Sequence, residues 1–430
     1  MSITNDISIL LNIKDKNITF TQNCVKEEKI DNVRTIIING YLDSKITRCL
    51  NCSGVNIVKN GTKSSDISVP KMSQLNTILR LSKQRYQCKD CKSYITSSTS
   101  VVDKGCHISN NTKHAVINQA KEIKTNKQIA NDLNISRDSV QRYIDSVYST
   151  DKLYKHFLPK AICFDEITYQ KGRMAFTMCN ADTGKTIDLV YGRSLENLVS
   201  YFSYYSMECR KKVKYIVIDM YKPYFTLINK MFPKAKIIID KFHIVQLMSK
   251  ALNKTRINIM KSDKVNYRKF KRYWRLLLTS RFDLKCSYWQ KYLCFKNLMT
   301  EVDIVNYLLD QNEELKASYN LYQNLLYAIQ NNNYKVLVKA LNTDYGLISN
   351  QMKTVLKTMR EYLPYIRSTL KYHYSNGVME RNNNTCKLLK RIAFGFRNFV
   401  NFKAKVLIVT SLFRPSKKTN GFLSISPQSS

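Results

Sequence analysis

Residues 160–169 read KAICFDEITY, and the fold turns on this stretch. It reads as a strand whose apolar, β-branched run is interrupted by Asp165. RMAFTMCN (173–180) reads as a second strand, and Ala181–Asp182–Thr183–Gly184 as a turn into a third, TIDLVYG (186–192). Residues 194–208 read as a helix, VKYIVID (213–219) as a strand and KPYFTLINKMF (222–232) as a helix. AKIIID (235–240) is then a strand leading into a helix from Lys241. In this order, βββαβαβα, a three-stranded meander is followed by short strands with right-handed crossovers, which set the fourth strand beside the first. Asp165 and Asp219, at the end of the fourth strand, become neighbours. Period alone does not separate buried strands from helices here, so the inference is topological. Between about 260 and 375 the β signals fade and helical ones take over; NGVMERNNN (376–384), with Glu380, then returns the chain to the sheet.

That element order is the ribonuclease-H-like one. Two aspartates on adjacent strands and a glutamate on a flanking helix are the usual protein contribution to a two-Mg²⁺ site, because hard cations take oxygen ligands. Each residue has a plainer reading: Asp219 as a helix cap, Glu380 as a partner of Arg381. Their joint placement favours the metal site. Among rivals, Glu166 turns to the opposite face by strand alternation, Asp182 lies in a turn and Asp188 is farther from the fourth strand. Asp240, one strand beyond Asp219, is the second choice.

The chain's 430 residues carry 70 Lys+Arg against 32 Asp+Glu, a net charge of +38 that implies a polyanionic partner. A membrane surface fits poorly, since no apolar run approaches the ~18–20 residues of a span and MSITNDISIL lacks a signal-peptide pattern. Phosphate then points to nucleic acid. The twelve cysteines form no secreted framework. Four of them, Cys49, Cys52, Cys88 and Cys91, make two C-x-x-C knuckles able to give four thiolates to one Zn²⁺. Cys88 lies 36 positions after Cys52, a spacer longer than the usual ~15–20 residues. It contains NIVKNGTK (56–63), a hairpin-like Asn-Gly turn, and the strand ILRLSKQRYQ (78–87), and so reads as a zinc ribbon with an extended hairpin.

Residues 112–149 follow as a helix-turn-helix: KQIANDL (127–133), a turn at Asn134–Ile135, and Ser136 as N-cap of RDSVQRYIDSVY (137–148). Ile129, Ala130, Leu133, Ile135, Val140 and Ile144 face inward; Arg137, Asp138, Gln141 and Arg142 face outward, where a recognition helix meets the major groove. A three-helix packing module is the plainer alternative. Residues 250–275 hold ten Lys/Arg, including Lys269 and Arg272, against Asp263 alone, and no acid follows Glu380. Lys269, Arg272, Lys387, Lys390 and Arg391 are therefore candidate phosphate contacts. Tyr267, Tyr273 and Trp274 interleave with the first cluster as possible stacking platforms, with core packing favoured for Trp274.

On CLNC with RYQCKDC, the helix-turn-helix, the FDE strand, IDMYKPY, FPKAKIIIDKFHIVQ and NGVMERNNNTCKLLKRIAFGFRNF, nearly the whole chain resembles bacterial insertion-sequence transposases of the DDE class, and is most similar to the ISL-three family. The first knuckle departs slightly, reading CLNCSG where the family tends to have a Pro and an aromatic or His. The resemblance implies catalytic Asp165, Asp219 and Glu380 holding Mg²⁺ or Mn²⁺, and a D-x-x-H signature at Asp240 and His243 beside the active site. It implies a DNA transposase that binds its element's terminal inverted repeats, cleaves the ends and joins the 3′-hydroxyls to target DNA, as a homodimer or higher oligomer in a bacterial cytoplasm on the nucleoid. A sequence-specific regulator with a degenerate core, or a structure-specific nuclease or resolvase, is the alternative. The expected fold is multidomain α/β. Residues 1–45 have no assigned role; 46–105 are the zinc ribbon, 108–150 the helix-turn-helix, and 158–259 the first part of the ribonuclease-H-like catalytic core. An all-α insertion spans 260–375, the second part of the core 376–412, and a basic tail 413–430.

Overall fold

A computed structural model describes residues 3–147 and 157–410. The expected tail at 413–430 and the end of the helix-turn-helix at 148–150 lie outside the described residues. The chain divides into two compact units, one of residues 1–153 with 387–430 and one of residues 154–386. Residues 387–410, read above with the catalytic core, thus fall in the N-terminal unit.

In the first unit, helix α1 (Ile3–Leu10) precedes a six-stranded sheet of β1 (Ile18–Thr19), β2 (Val25–Ile30), β3 (Val33–Leu42), β4 (Ile57–Met72), β5 (Leu75–Cys88) and β6 (Tyr94–Thr96). The strands run β1-β3-β5-β4, with β2 also on β3 and β6 on β5. The strands between residues 18 and 42, in the segment left without a role by sequence, therefore belong to the same sheet as the ribbon hairpin. That hairpin does not turn at Asn60–Gly61. The β4–β5 register shifts between Lys59 and Thr62, so Gly61, at φ +66°, sits in a bulge. The turn is at Ser73–Gln74, both in the left-handed region. Bulge and primed turn ask for the same backbone, and what decides between them lies farther along: beyond the bulge, Ile67, Val69, Leu79 and Leu81 are buried with Ile18, Phe20, Ile38 and Leu42, which holds the strands paired.

Helices α2 (Asn110–Ala120), α3 (Asn126–Leu133) and α4 (Arg137–Val147) follow. Thr125 and Gln128 form a capping box at the start of α3. Asn134 ends it in the left-handed region, and Ser136 accepts the Ser139 N–H at 3.0 Å to open α4. Val116, Ala120, Ile129, Ala130, Leu133, Val140 and Ile144 form one buried cluster, joined by Ile408 of the helix Phe399–Thr410.

The second unit is built on a five-stranded sheet of β7 (Ala161–Gln170), β8 (Arg173–Asn180), β9 (Thr186–Tyr191), β10 (Tyr215–Ile218) and β11 (Lys236–Ile239), in the order β11-β10-β7-β8-β9. β7, β8 and β9 are antiparallel neighbours, whereas β10 pairs in parallel with β7 and β11 in parallel with β10. Alternation splits the sheet's side chains between two layers. Ile162, Phe164, Phe176, Met178, Ile216, Ile218 and Ile239 enter a large core with α5 (Leu195–Ser203), α6 (Met207–Lys212) and α7 (Lys222–Met231). Cys163, Cys179, Val217 and Ile238 pack instead with Met379 of the helix Gly377–Ile392. The single helix read over 194–208 is two. Ser206 caps α6 by accepting the Cys209 N–H, and Tyr205 between them is buried.

Helix α8 (Lys241–Ser262) carries the chain from β11 into a mainly helical region ending at the helix Leu363–Lys371. This region is not all-α: Gln290–Lys291 and Leu298–Met299 pair as a short antiparallel ladder. No described helix is long and apolar enough to cross a membrane. The Leu363–Lys371 helix closes the β11 edge of the sheet. The Thr369 hydroxyl donates to the Ile239 carbonyl and accepts the Ile239 N–H, both at 2.9 Å. An open edge would leave these groups unpaired in a buried place. Thr369→Val keeps the shape and removes both bonds, and should lower stability by about 1–3 kcal/mol in denaturant titrations. Unchanged stability would mean that the edge is satisfied by other means.

Candidate functional site

The first knuckle is folded by Cys49 N–H bonding the Gly54 carbonyl and Ser53 N–H bonding the Cys49 carbonyl; the second by Cys88 N–H bonding the Ser93 carbonyl. In each, the residue after the second cysteine, Ser53 or Lys92, has positive φ, which turns the chain back over its sulfurs. The four sulfurs, Cys49, Cys52, Cys88 and Cys91, all lie within 4.8 Å of one another, with Cys49–Cys91 at 3.5 Å and Cys52–Cys88 at 3.6 Å. A tetrahedron with Zn–S bonds of ~2.3 Å has edges of about 3.8 Å, so the set fits zinc with little adjustment. The Ser93 hydroxyl, 2.9 Å from Cys91 Sγ, helps pull the Cys91 thiol down to about 6.

In the second unit, register does the assembling. β7 and β10 pair in parallel with Val217 opposite Cys163, and two residues on the same register sets Asp219 level with Asp165. β10 and β11 pair with Ile218 opposite Ile239, so one residue on, Asp240 is level with Asp219. Three aspartates thus occupy one row across three adjacent parallel strands, Asp165 midway along β7 and Asp219 and Asp240 just past the ends of β10 and β11. They share the face of Cys163, Val217 and Ile238, which packs on the Gly377–Ile392 helix. Burial, with the charge of Asp219 behind it, pushes the Asp165 carboxyl up to about 6. Burial also raises Asp240, against the pull of His243.

Donors from two helical segments meet this row. His243, in the first turn of α8, brings Nε2 to 2.9 Å from Asp219 Oδ1, and that bond raises the imidazole above its ordinary value. Asn376 Nδ2 donates to Asp219 Oδ1 at 3.3 Å, and its backbone N–H bonds Asp240. Asn383 Nδ2 donates to Asp165 Oδ2 at 2.6 Å. Asn376 and Asn383 escaped the sequence reading, although a signal was present: they stand four residues before and three after Glu380, one helical face. Glu380 lies between them on that face but is exposed. Among the described residues, the four cysteines are the only group of three or more candidate ligands closed to within 4.8 Å. Glu166 is on the opposite face, where Arg193 and the Tyr224 hydroxyl bind it.

The candidate DNA contacts divide. Arg137, Arg142, Arg272, Lys387 and Arg391 are exposed, and Lys390 is half-buried. Gln141 is held by its own helices, accepting from Asn126 at 2.9 Å and donating to Asp145 at 2.7 Å. Lys269 is half-buried. Its ammonium donates to Tyr307 Oη at 2.6 Å and Asn266 Oδ1 at 3.2 Å and lies over the Phe295 and Tyr307 rings, because an apolar shelf gives its charge better company than water alone. Tyr273 is likewise spent internally, buried with its hydroxyl on the Leu293 carbonyl, while Trp274 is half-buried and Tyr267 exposed.

Among known proteins, a family described as a transposase matches residues 162–406. A second, described as the zinc-finger of transposase IS204/IS1001/IS1096/IS1165, matches residues 45–91. A protein of Lactococcus lactis subsp. lactis named as an ATP-dependent protease is 42% identical over 110 residues, 26% of this chain and 35% of that protein. The transposase for insertion sequence element IS1001 of Bordetella parapertussis is 25% identical over 252 residues, 57% of this chain and 59% of that one. The chain therefore spans between a third and three-fifths of the length of these relatives.

Purified full-length protein should carry one zinc per chain by elemental analysis. Cys88→Ser should lose it and lower the melting temperature, because a closed four-thiolate site stabilises the fold directly. Full zinc retention in that variant would remove Cys88 from the site.

Proposed function

Because this chain belongs to the ISL-three family of insertion-sequence transposases, we propose that it binds the terminal inverted repeats of its own element, cleaves the ends and joins the 3′-hydroxyls to target DNA. The observation that carries this reading is the row of Asp165, Asp219 and Asp240 beneath the helix that bears Glu380. The strand order β11-β10-β7-β8-β9, with its antiparallel meander and two parallel strands, supports a ribonuclease-H-like catalytic core.

Carboxylate oxygens gathered over one face of the sheet suit Mg²⁺, and Asp165, Asp219 and Glu380 would hold it. Bound there, the metal would activate the attacking hydroxyl and stabilise the leaving oxygen. The chain's own residues supply the rest. Asn383 and Asn376 fix the rotamers of the two aspartates, and His243 holds Asp219 from the α8 side. Asp240 is the competitor of Glu380 for the third carboxylate role, since it shares the row. In the N-terminal unit, the αL turn at Asn134 and the Ser136 cap support a helix-turn-helix, with α4 presenting exposed Arg137 and Arg142 to a major groove.

With DNA flanking the chain's own gene and Mg²⁺, the protein should release 3′-ended cleavage products. Asp165→Asn, Asp219→Asn and Glu380→Gln should each lose roughly a thousandfold in rate while folding and binding DNA normally. An inactive Asp240→Asn beside an active Glu380→Gln would transfer the third role to Asp240; full activity in all of them would end the metal reading and favour a DNA-binding regulator.

Recognition is tested separately. Arg137→Ala should weaken binding to the element ends more than to scrambled duplex. Lys387→Ala with Arg391→Ala should weaken both alike and flatten the salt dependence by about one unit of slope for each phosphate no longer neutralised. Equal losses in both variants would take recognition away from α4.

A further inference from the structure

The end of the Gly377–Ile392 helix carries a residue in the wrong place for folding. Gly395 N–H bonds the Lys390 carbonyl at 2.8 Å, and Phe394 N–H bonds the Arg391 carbonyl at 3.2 Å. These two bonds form a Schellman cap, whose left-handed position ordinarily takes glycine. Here that position, at φ +51°, is Phe394, and the glycine comes one residue later. A side chain in the left-handed region is strained, and Phe gains no local hydrogen bond there as Asn would. Nor is the ring repaid by packing, for Phe394 is 100% exposed. Strain of this kind in a fully solvated aromatic points outward, to something absent from the chain itself.

The loop around it says what. Residues 392–398 form one wall of a cleft of about 540 Å³ in the N-terminal unit, whose other wall is the start of α3 and the first turns of α4. Lys127, Arg137 and Arg397 line it and are exposed, against Asp138 as the single lining acid. No acidic residue follows in the remainder of the chain. A cationic cleft bordered by a protruding ring has the chemistry of a phosphate backbone with a base step beside it.

We propose that this cleft is a second DNA-contact site, in which Lys127, Arg137 and Arg397 hold the backbone and Phe394 enters as a wedge against an unstacked base. The proposal rests on the DNA-binding reading above and adds to it an interaction that distorts the duplex. It also makes Arg137 a bridge between the outward face of α4 and the cleft.

The test uses the full-length protein and duplexes carrying 2-aminopurine, one set copied from DNA flanking the gene and one scrambled. Wild type should raise 2-aminopurine fluorescence at a defined step. Phe394→Gly should abolish that rise and weaken binding about tenfold. Its melting temperature should stay level or increase, because glycine relieves the left-handed strain. Phe394→Trp should retain the rise. The proposal is overturned if Phe394→Gly unstacks DNA as wild type does, or melts earlier, which would give the ring a packing role. It is equally overturned if Phe394→Gly only converts a DNA-free dimer to monomer, which would place the ring in a protein interface. Because unstacking is read on both duplex sets, a loss of preference for flanking DNA would strike the transposase reading and still leave the wedge decided.

Discussion

Three carboxylates at one level of a parallel sheet repel one another, and the second unit is arranged around that repulsion. Burial disfavours the charges of Asp165 and Asp240, and proximity to Asp219 adds to it, so that Asp165 is pushed up to about 6. Left uncompensated, such a row would destabilise the sheet. Amide donors from Asn376 and Asn383 and the imidazole of His243 offset part of the cost, each reaching in from a helix, or the residue that opens one, beside the row.

The supporting structure follows from that demand. The parallel pairs β7–β10 and β10–β11 need crossovers, and α5 to α7 provide them while covering one face with an aromatic core that includes Phe164, Phe176, Phe202 and Phe232. The other face is left thin, with Cys163, Cys179, Val217, Ile238 and Met379 as its apolar layer, so the Gly377–Ile392 helix can reach the carboxylates. The helices after β11 serve the same sheet: α8, with Asp240 at its N-cap, presents His243, and Thr369 seals β11. The helical insertion between the second and third catalytic candidates thereby closes the strand that leads to Asp240.

The N-terminal unit solves a different problem, that of presenting cations without dissolving its own core. Four sulfurs close one end of the sheet, and short capped helices bury a small apolar cluster. Lys405 shows the limit of that economy. Buried beside the cluster, its ammonium donates to the Ala120 and Glu122 carbonyls and is pulled down to about 8 by desolvation. The arginines of α4 and of the 391–397 segment stay at the surface, where their charge keeps its water.

Much of this was written locally. Strand alternation around Asp165, the apolar set of α3 and α4, the Ser136 cap and the paired knuckles all depend on neighbours within a few residues, and so could be read from the chain. What needed tertiary structure were matters of register and long-range company. The Asn-Gly pair at 60–61 fits a turn or a bulge equally well, and only burial of Ile67, Val69, Leu79 and Leu81 farther along decides for the bulge. Lys269 reads as a surface cation until Tyr307 and Phe295 arrive from distant sequence to receive it. Asp240 reads as one strand too far, but a shared parallel register puts it level with Asp165 and Asp219. Local sequence determines which faces are apolar and where chains turn, because those energies are local. That Asp240 stands level with the other two is decided by strand pairing across tens of residues, and no local energy encodes that.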